Sequence, residues 1–285
     1  MKASITLMPP RSEGELASKR AKLEEILREM DSALVAYSGG ADSALLLRVA
    51  HDVLGDRAVG VIAVSETIPA EEVEGAKAVA EEMGVTLHTV FTREYENEAY
   101  RANRADRCYH CKVALFDEIE PLAAALGIDH ILYGANHDDL GDHRPGQQAA
   151  RKRGVRAPLL EAGFTKLEVR ELSRQLGLPT WNKPAMACLA SRIPHGTRIE
   201  REVLERIAAA ERFLRELGAV QVRVRTYEST ARIETDTESI QLLARPETRE
   251  RVVERFKELG YEFITLDLEG FRSGSMNPKR RTRDG

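Results

Sequence analysis

The sequence predicts an α/β fold: a parallel, doubly wound sheet followed by a smaller C-terminal α+β domain. Short apolar runs, typical of strands buried on both faces, alternate with amphipathic helical segments in the N-terminal part of the chain. After a proline-rich loop, the pattern changes to strands whose apolar and polar residues alternate. We therefore expect one domain over residues 1–180 and a second over residues 181–285.

The N-terminal domain is expected to contain four strands and five helices. The apolar runs predict strands over 33–37, 58–64, 85–90 and 130–134. The helical periodicity predicts helices over 12–30, 44–53, 70–83 and 115–126. Thr165 and Glu168 have the spacing of a capping box, which predicts that a helix begins there and ends near Gly177.

The C-terminal domain is expected to be an antiparallel sheet with two helices. Alternating residues predict strands over 220–227, 231–236 and 261–268, and helical periodicity predicts helices over 199–217 and 246–259. The domain boundary is expected within the proline-rich loop over 179–196.

Composition excludes several classes of protein. The chain has 42 Lys and Arg and 46 Asp and Glu, a net charge of −4, so no overall charge attracts it to nucleic acid. No segment approaches the ~18 apolar residues of a membrane span, and two prolines interrupt the apolar N-terminus, which makes it a poor secretory signal. Three cysteines do not form a disulfide framework, so we expect a reduced, cytoplasmic protein that binds neither nucleic acid nor membrane.

The sequence SGGADS at residues 38–43 lies at the junction of a predicted buried strand and a helix. Two glycines let backbone N–H groups approach an anion, and the helix N-terminus adds positive potential. The candidate nucleotide-binding residues are Ser38, Gly39, Gly40, Asp42 and Ser43. Asp42 would repel a phosphate unless a divalent cation lay next to both, so its presence suggests Mg²⁺. The alternative is an ordinary strand–turn–helix connection with a Ser or Asp cap.

The SGGxDS pattern resembles the PP-loop of the ATP pyrophosphatases, and it lacks the lysine of a Walker A loop. The resemblance implies the adenine nucleotide alpha hydrolase-like fold of that superfamily, with ATP and Mg²⁺ as ligands. In the superfamily the loop holds the pyrophosphate and leaves the α-phosphate open to attack, so that a substrate group becomes adenylated. Asp42 is accordingly a candidate catalytic residue as well as a ligand-binding one.

Three cysteines form a second candidate site. Cys108 and Cys111 have the CxxC spacing of a metal-binding pair, and Cys188 could supply a third thiolate from a distant loop. Three ligands leave one position open on zinc or on one iron of a four-iron cluster, and the pattern alone does not separate these metals. The alternatives are a redox CxxC, a structural zinc completed by His110 or His195, and three unrelated buried thiols.

A more specific resemblance extends over nearly the whole chain. KPAMACLASRIPHG at 183–196 resembles the sulfur-donor loop of the LarE family of ATP-dependent sulfurtransferases, which act in synthesis of the nickel-pincer nucleotide cofactor. The resemblance continues, in order, through AYSGGADSALL, GANHDD at 134–139, LGLPTWNKP, RVRTYESTARIE at 223–234 and LEGFRSGSMN.

This resemblance implies that ATP adenylates a carboxylate of pyridinium-3,5-biscarboxylic acid mononucleotide and that a sulfur nucleophile then displaces AMP. In single-cysteine members the donor is a protein cysteine, matching Cys188 here, which is left as dehydroalanine. Members with three such cysteines are understood to hold a [4Fe-4S] cluster that carries an extra sulfide. Cys108 and Cys111 therefore favour the cluster over sacrifice of Cys188 and over zinc. The resemblance also implies a sulfide donor and a homo-oligomer.

Further candidate residues are assigned by chemistry and position. Arginine suits the anionic groups of substrate and nucleotide, and the two on the predicted strand are two residues apart and so face the same side. The candidate binding residues are Ser65, Ser191, Arg192, Arg223 and Arg225; the candidate Mg²⁺ ligands are Asp138, Asp139 and Glu234. The aspartates could instead cap a helix, and the arginines could form a solvated strand face. Trp181 is expected to be a core residue, and His137 a structural one.

Two other functions share some of these features. A PP-loop tRNA thiolase would use the same CxxC…C arrangement, but the chain has neither an evident RNA-binding module nor a positive net charge. A non-enzymatic adenine-nucleotide sensor with a structural zinc would leave the loop around Cys188 without a role.

Overall fold

A computed structural model describes residues 13–141, 145–184 and 187–272, which form two compact units. The first unit contains the described residues of 13–64, 71–92 and 112–184, and the second contains 65–70, 93–111 and 187–272. This grouping differs from the expected division at residue 180, because 65–70 and 93–111 pack with the C-terminal residues. No helix in the described part of the chain is long and apolar enough to cross a membrane.

The regular elements follow in chain order. The described strands are β1 (Ala33–Ala36), β2 (Ala58–Val64), β3 (Leu87–Phe91), β4 (His130–Tyr133), β5 (Val222–Tyr227), β6 (Thr230–Thr235) and β7 (Phe263–Leu266). The described α-helices are α1 (Glu13–Arg28), α2 (Ala41–Leu54), α3 (Ala70–Glu82), α4 (Glu98–Arg101), α5 (Arg107–Leu126), α6 (Pro145–Lys152), α7 (Pro158–Glu161), α8 (Lys166–Gln175), α9 (Arg201–Glu216), α10 (Thr237–Ala244) and α11 (Pro246–Glu258).

The first unit contains the predicted parallel sheet. Its strand order is β3-β2-β1-β4, and every neighbouring pair is parallel. The chain order reverses at β1, which pairs with β2 on one side and β4 on the other. Ligands of such open sheets bind where this reversal leaves a crevice at the carboxyl ends of the strands. The loop at residues 38–43 follows β1 at that end.

Helix α2 packs its apolar residues against β1 and β2. Leu45, Leu46 and Leu47 are all fully buried, so this helix is covered on more than one face. Because α2 buries three large side chains, its position in the fold is fixed. Its first turn, which adjoins the loop, is fixed with it.

The second sheet differs from the expected antiparallel one. Strands β5 and β6 are antiparallel, but β6 and β7 are parallel. The reason is the connection: α10 and α11 lie in sequence after β6 and before β7, and a helical crossover brings the chain back in the same direction. The sequence analysis predicted α11 but not α10.

Alternation along β5 and β6 separates an apolar face from a charged one. Val222, Val224, Ala231 and Ile233 belong to a core that also contains Phe256. The intervening residues Arg223, Arg225, Arg232 and Glu234 share the opposite face.

The capping box at the start of α8 is confirmed. The Thr165 side chain accepts from the Glu168 N–H, and the Glu168 carboxylate accepts from the Thr165 N–H at 2.8 Å. Lys19 of α1 also donates to both Glu168 oxygens at 2.8 Å. Burial alone would raise the pKa of Glu168, but the hydrogen bonds from Lys19 and Thr165 outweigh it and lower the pKa.

Because this pKa is lowered in the folded protein, ionised Glu168 stabilises the fold above its ordinary pKa of 4.5 and not in acid. We expect Glu168→Gln to lower the free energy of unfolding by about 1 to 2 kcal/mol at pH 7, measured by urea denaturation. The difference from wild type should shrink as the pH falls below 4.5. Glu171→Gln, an exposed change on the same helix, should cost less than about 0.5 kcal/mol. An equal loss in both variants, or one independent of pH, would contradict this assignment.

Candidate active site

The loop at residues 38–43 is folded by its own hydroxyl groups. The Ser43 hydroxyl donates to the Gly40 carbonyl at 3.1 Å and accepts from the Ser38 N–H at 3.1 Å. Gly40 is the N-cap of α2 and provides no side-chain cap. The first N–H groups of a 14-residue helix therefore face the loop without a side-chain acceptor from that position, an arrangement suited to a phosphate.

Two glycines at this loop cannot be replaced without displacing the backbone. Gly39 has φ +72°, and a Cβ there would lie 2.5 Å from the Cβ of Ala76. At Gly134, just after β4, a Cβ would lie 2.6 Å from the Ser43 nitrogen. The loop and the end of β4 therefore approach each other more closely than any side chain permits.

Asp42 is held by two residues that the sequence analysis missed. Its carboxylate accepts from Lys166 Nζ at 2.5 Å and from Asn136 Nδ2 at 2.9 Å. Lys183 lies on the other side of the loop, with Nζ 3.0 Å from Glu72 and 3.8 Å from the Cβ position of Gly39. Lys166 and Lys183 lie more than 120 residues after the loop, and only the fold brings them to it. Lys166 is thus paired with Asp42, and Lys183 with Glu72.

The two predicted magnesium ligands after β4 hold the backbone. The Asp139 carboxylate accepts from the Asn136 N–H at 3.0 Å, and the Asp138 carboxylate accepts from the Lys166 N–H at 2.9 Å. Asp138 thus caps the start of α8, the alternative role considered for it. The oxygen-rich set of Asp42, Ser38 and Ser43 has the donor chemistry that Mg²⁺ prefers.

The second unit brings the three cysteines to one neighbourhood. Cys108 and Cys111 lie three residues apart in the first turn of α5, a helix predicted to begin only at residue 115. Cys188 is the N-cap of a short 3₁₀ helix, Leu189–Arg192. Cys111 and Cys188 both pack against a buried cluster that includes Tyr100.

Asn103 and Arg107 join the CxxC segment to the loop around Cys188. Arg107 donates to the Asn103 side chain at 2.5 Å and to the Ala190 carbonyl at 3.0 Å. Asn103, whose φ is +51°, donates its side-chain amide to the Ile193, Pro194 and Thr197 carbonyls. Both residues are buried, so these bonds are shielded from water.

Two buried side chains, Arg107 and Tyr100, interact electrostatically with the three cysteines. Burial alone would lower the pKa of Arg107, but negative charge on Cys188 and Cys108 raises it above its usual value. Burial, and then Cys188, Cys111 and Glu94, raise the pKa of Tyr100.

No three His, Cys, Asp or Glu side chains among the described residues are arranged to hold one metal ion. His110, a proposed fourth zinc ligand, instead lies 3.4 Å from the Asp106 carboxylate. A four-iron cluster makes a different demand, because its cysteines would bind separate irons and need not converge on one ion. Three thiols around a shared cation and a shared hydroxyl have the donor chemistry for that group.

Arg192 fastens the loop that carries Cys188. Its guanidinium pairs with both oxygens of Glu211 at 2.8 and 2.9 Å and donates to the Ala187 and Cys188 carbonyls. Arg192 and Glu211 are almost completely buried. Burial would raise the pKa of Glu211, but Arg192 outweighs it and the pKa is lowered. The contacts of Arg192 are thus with the protein, and its predicted role in ligand binding stays a prediction.

The charged face of β5 and β6 is a buried, predominantly cationic cluster. Glu234 is fully buried and pairs with Arg225 and Arg232, each at 2.8 Å, and its predicted role as a metal ligand stays a prediction. Arg225 also donates to the Ser191 carbonyl at 3.0 Å. Arg223 lies over the Phe271 ring, and burial and the positive charge of Arg192 lower its pKa to about 10.

Ser65 and Trp181 were also singled out in the sequence. Ser65 belongs to the second unit, where its hydroxyl is 2.9 Å from that of Thr67. Trp181 is 40% exposed, so the expectation that it anchors the core is wrong. It follows Pro179 in a short 3₁₀ helix, which keeps it near the surface.

Comparison with known proteins identifies a matching family and several relatives of this chain. The family described as NAD synthase matches residues 17–108, which include the loop at 38–43. An uncharacterized protein of Synechocystis, slr1717, is 48% identical over 92% of this chain and 98% of its own length. An uncharacterized protein of Methanocaldococcus jannaschii, MJ0830, is 26% identical over 90% of this chain and 98% of its own length.

A third relative has an assigned function. The pyridinium-3,5-bisthiocarboxylic acid mononucleotide synthase of Lactiplantibacillus plantarum is 38% identical over 92% of this chain and 95% of its own length. Identity at this level over almost the whole of both chains, with a nucleotide loop in one unit and three cysteines in the other, shows that this chain belongs to the LarE family of pyridinium-3,5-bisthiocarboxylic acid mononucleotide synthases.

Proposed function

We propose that the chain is an ATP-dependent sulfurtransferase that converts the carboxylates of pyridinium-3,5-biscarboxylic acid mononucleotide into thiocarboxylates, with sulfur delivered from a [4Fe-4S] cluster on Cys108, Cys111 and Cys188. The observation that carries the proposal is the convergence of these cysteines on Arg107 and Tyr100 in a chain that also has a complete SGGADS loop.

Activation of the acid is assigned to the first unit. The N–H groups at the start of α2 and the hydroxyls of Ser38 and Ser43 bind the departing pyrophosphate. Asp42 holds Mg²⁺, which neutralises phosphate charge when bound. Lys166 and Lys183 exchange their carboxylate partners for phosphate oxygens. A substrate carboxylate oxygen bonds to the α-phosphorus, the bond to the β-phosphate oxygen breaks, and an acyl adenylate results.

Sulfur delivery is assigned to the second unit. The three cysteines would hold the cluster, which when bound supplies a nucleophilic sulfide at neutral pH. Arg192 and Asn103 keep the loop around Cys188 in place, and Arg107 offsets the negative charge of the thiolates. Sulfide released from the cluster would bond to the acyl carbon as the carbon–oxygen bond to AMP breaks, so each thiocarboxylate uses one ATP and one sulfide, which the sulfide donor would replace.

The phosphate of the mononucleotide is assigned to Arg223. This guanidinium is buried close to Arg192 and Arg225, and the fork of N–H donors of an arginine suits phosphate oxygens. Arg225 keeps its partner Glu234 and orients β5.

Substitution of the three cysteines distinguishes sulfur transfer from a cluster from sacrifice of Cys188. We expect anaerobically reconstituted protein to bind about four iron per chain. Cys108→Ser, Cys111→Ser and Cys188→Ser should each lose iron and thiocarboxylate formation while still releasing pyrophosphate from ATP and substrate. Iron analysis and mass spectrometry of the peptide at residue 188 are the measurements. Iron-free protein in which Cys188 becomes dehydroalanine, with Cys108→Ser still active, would contradict the cluster.

Arg223 is tested through the substrate. We expect Arg223→Gln to raise the KM for the mononucleotide about 10- to 100-fold with little change in kcat, measured by pyrophosphate release. Because Arg223 also donates to the Val222 carbonyl and lies over the Phe271 ring, the Tm of the ligand-free variant is measured alongside. Arg249→Gln, an exposed change on α11, is the matched control. An unchanged KM, or a lower Tm with an unchanged KM, would show a purely structural role.

A further inference from the structure

Tyr100 belongs to the buried cluster against which Cys111 and Cys188 pack. Tyr100 is fully buried, and its Oη has no hydrogen-bond partner among the residues that the structure describes. Other buried tyrosines do have partners: Tyr37 donates to the Ala76 carbonyl at 3.1 Å, and Tyr261 lies 2.9 Å from the Thr226 hydroxyl. A buried hydroxyl without a partner is costly, so it calls for an explanation.

The surroundings of Tyr100 indicate what its partner is. Cys111 and Cys188 pack against the cluster that contains Tyr100, and both act on it electrostatically. Glu94 is the third negative neighbour; one of its oxygens accepts from Thr67 at 3.0 Å, and the other has no partner among the described residues. Anionic sulfur and carboxylate oxygens are acceptors, so the Tyr100 hydroxyl can bond to either of them only as a donor.

We propose that the Tyr100 hydroxyl donates a hydrogen bond to the anionic sulfur held at Cys111 and Cys188, and so positions that sulfur for transfer. This inference rests on the proposed function and adds a residue to it. Tyr100 makes or breaks no covalent bond, because its proton stays on oxygen. The acceptor is sulfide of the cluster or, in iron-free protein, sulfur on Cys188, and in both cases it is a soft anion in a buried site.

Hydrogen bonds to sulfur have measurable consequences at such sites. Residues that bond to a metal's ligands orient them and tune the centre, and their loss typically costs 10- to 100-fold in affinity or activity. A hydrogen bond to a cluster sulfur also stabilises its more negative, reduced form, so removing the bond makes the reduction potential more negative.

The first test uses ligand-free protein and does not depend on activity. Tyr100→Phe removes a hydroxyl that has no partner among the described residues, so the Tm should stay the same or rise. Tyr261→Phe removes the same atom from a buried tyrosine whose hydrogen bond is made, so the Tm should fall. A fall for Tyr100→Phe as large as that for Tyr261→Phe would mean that the hydroxyl serves the fold, and the proposal would be overturned.

The second test uses protein reconstituted with iron and sulfide. For Tyr100→Phe we expect thiocarboxylate formation to slow about 10- to 100-fold, with pyrophosphate release unchanged. The reduction potential of the cluster should become more negative, and Tyr261→Phe should match wild type in all three measurements. If wild type is iron-free and consumes Cys188, the rate of dehydroalanine formation replaces the potential.

The outcomes separate the two proposals. Active wild type with an equally active Tyr100→Phe, and no change in potential, overturns the role of Tyr100 alone. Wild type that binds no iron, consumes no cysteine and makes no thiocarboxylate overturns the proposed function, and the role of Tyr100 with it. A loss of activity in Glu94→Gln equal to that in Tyr100→Phe, with an unchanged potential in both, would make Glu94 the true partner and also overturn the proposal.

Discussion

The buried ion pair of Arg192 and Glu211 is the interaction on which the cysteine site depends. The guanidinium binds two carbonyls of the loop that carries Cys188, while Glu211 also accepts from the Val224 N–H of β5 at 3.0 Å. One pair therefore connects the loop, α9 and β5. Removing one partner of such a pair leaves a buried charge and costs about 3 to 5 kcal/mol of folding stability. The pair therefore holds the loop in place. Arg107 and Asn103 hold it at other points.

In the first unit, the loop at residues 38–43 depends on close backbone packing. A loop that receives a triphosphate must offer N–H groups without presenting a side chain in the way, and Gly39 and Gly134 meet this requirement by close packing against Ala76 and Ser43. The cations that we propose for the phosphates already lie at the loop, since Lys166 pairs with Asp42 and Lys183 with Glu72. Such pairs keep the charges in position, and exchange of partners upon binding needs only side-chain rotation.

The local parts of this picture could be predicted from the sequence, and the distant contacts could not. The apolar runs of the first-sheet strands and the α8 capping box depend on neighbouring residues, and both are confirmed, whereas nucleotide binding by the SGGADS loop stays a prediction. Lys166, Lys183, Arg107 and Tyr100 escaped notice, because their roles arise from contacts with segments far along the chain. Glu234 was assigned to metal because a lone carboxylate in sequence gives no sign that Arg225 and Arg232 will surround it. The parallel pairing of β7 likewise depended on a helix, α10, that was not predicted.

The central claim is that ATP activates the substrate carboxylate as an acyl adenylate before sulfur arrives. The fate of the carboxylate oxygen tests it most directly, with substrate labelled by ¹⁸O in both carboxylates and a single turnover followed by mass spectrometry. Because the oxygen that bonds to the α-phosphorus leaves with it, the account predicts one ¹⁸O in AMP for each thiocarboxylate formed, and none in pyrophosphate. Unlabelled AMP, or label in pyrophosphate or inorganic phosphate, would contradict it.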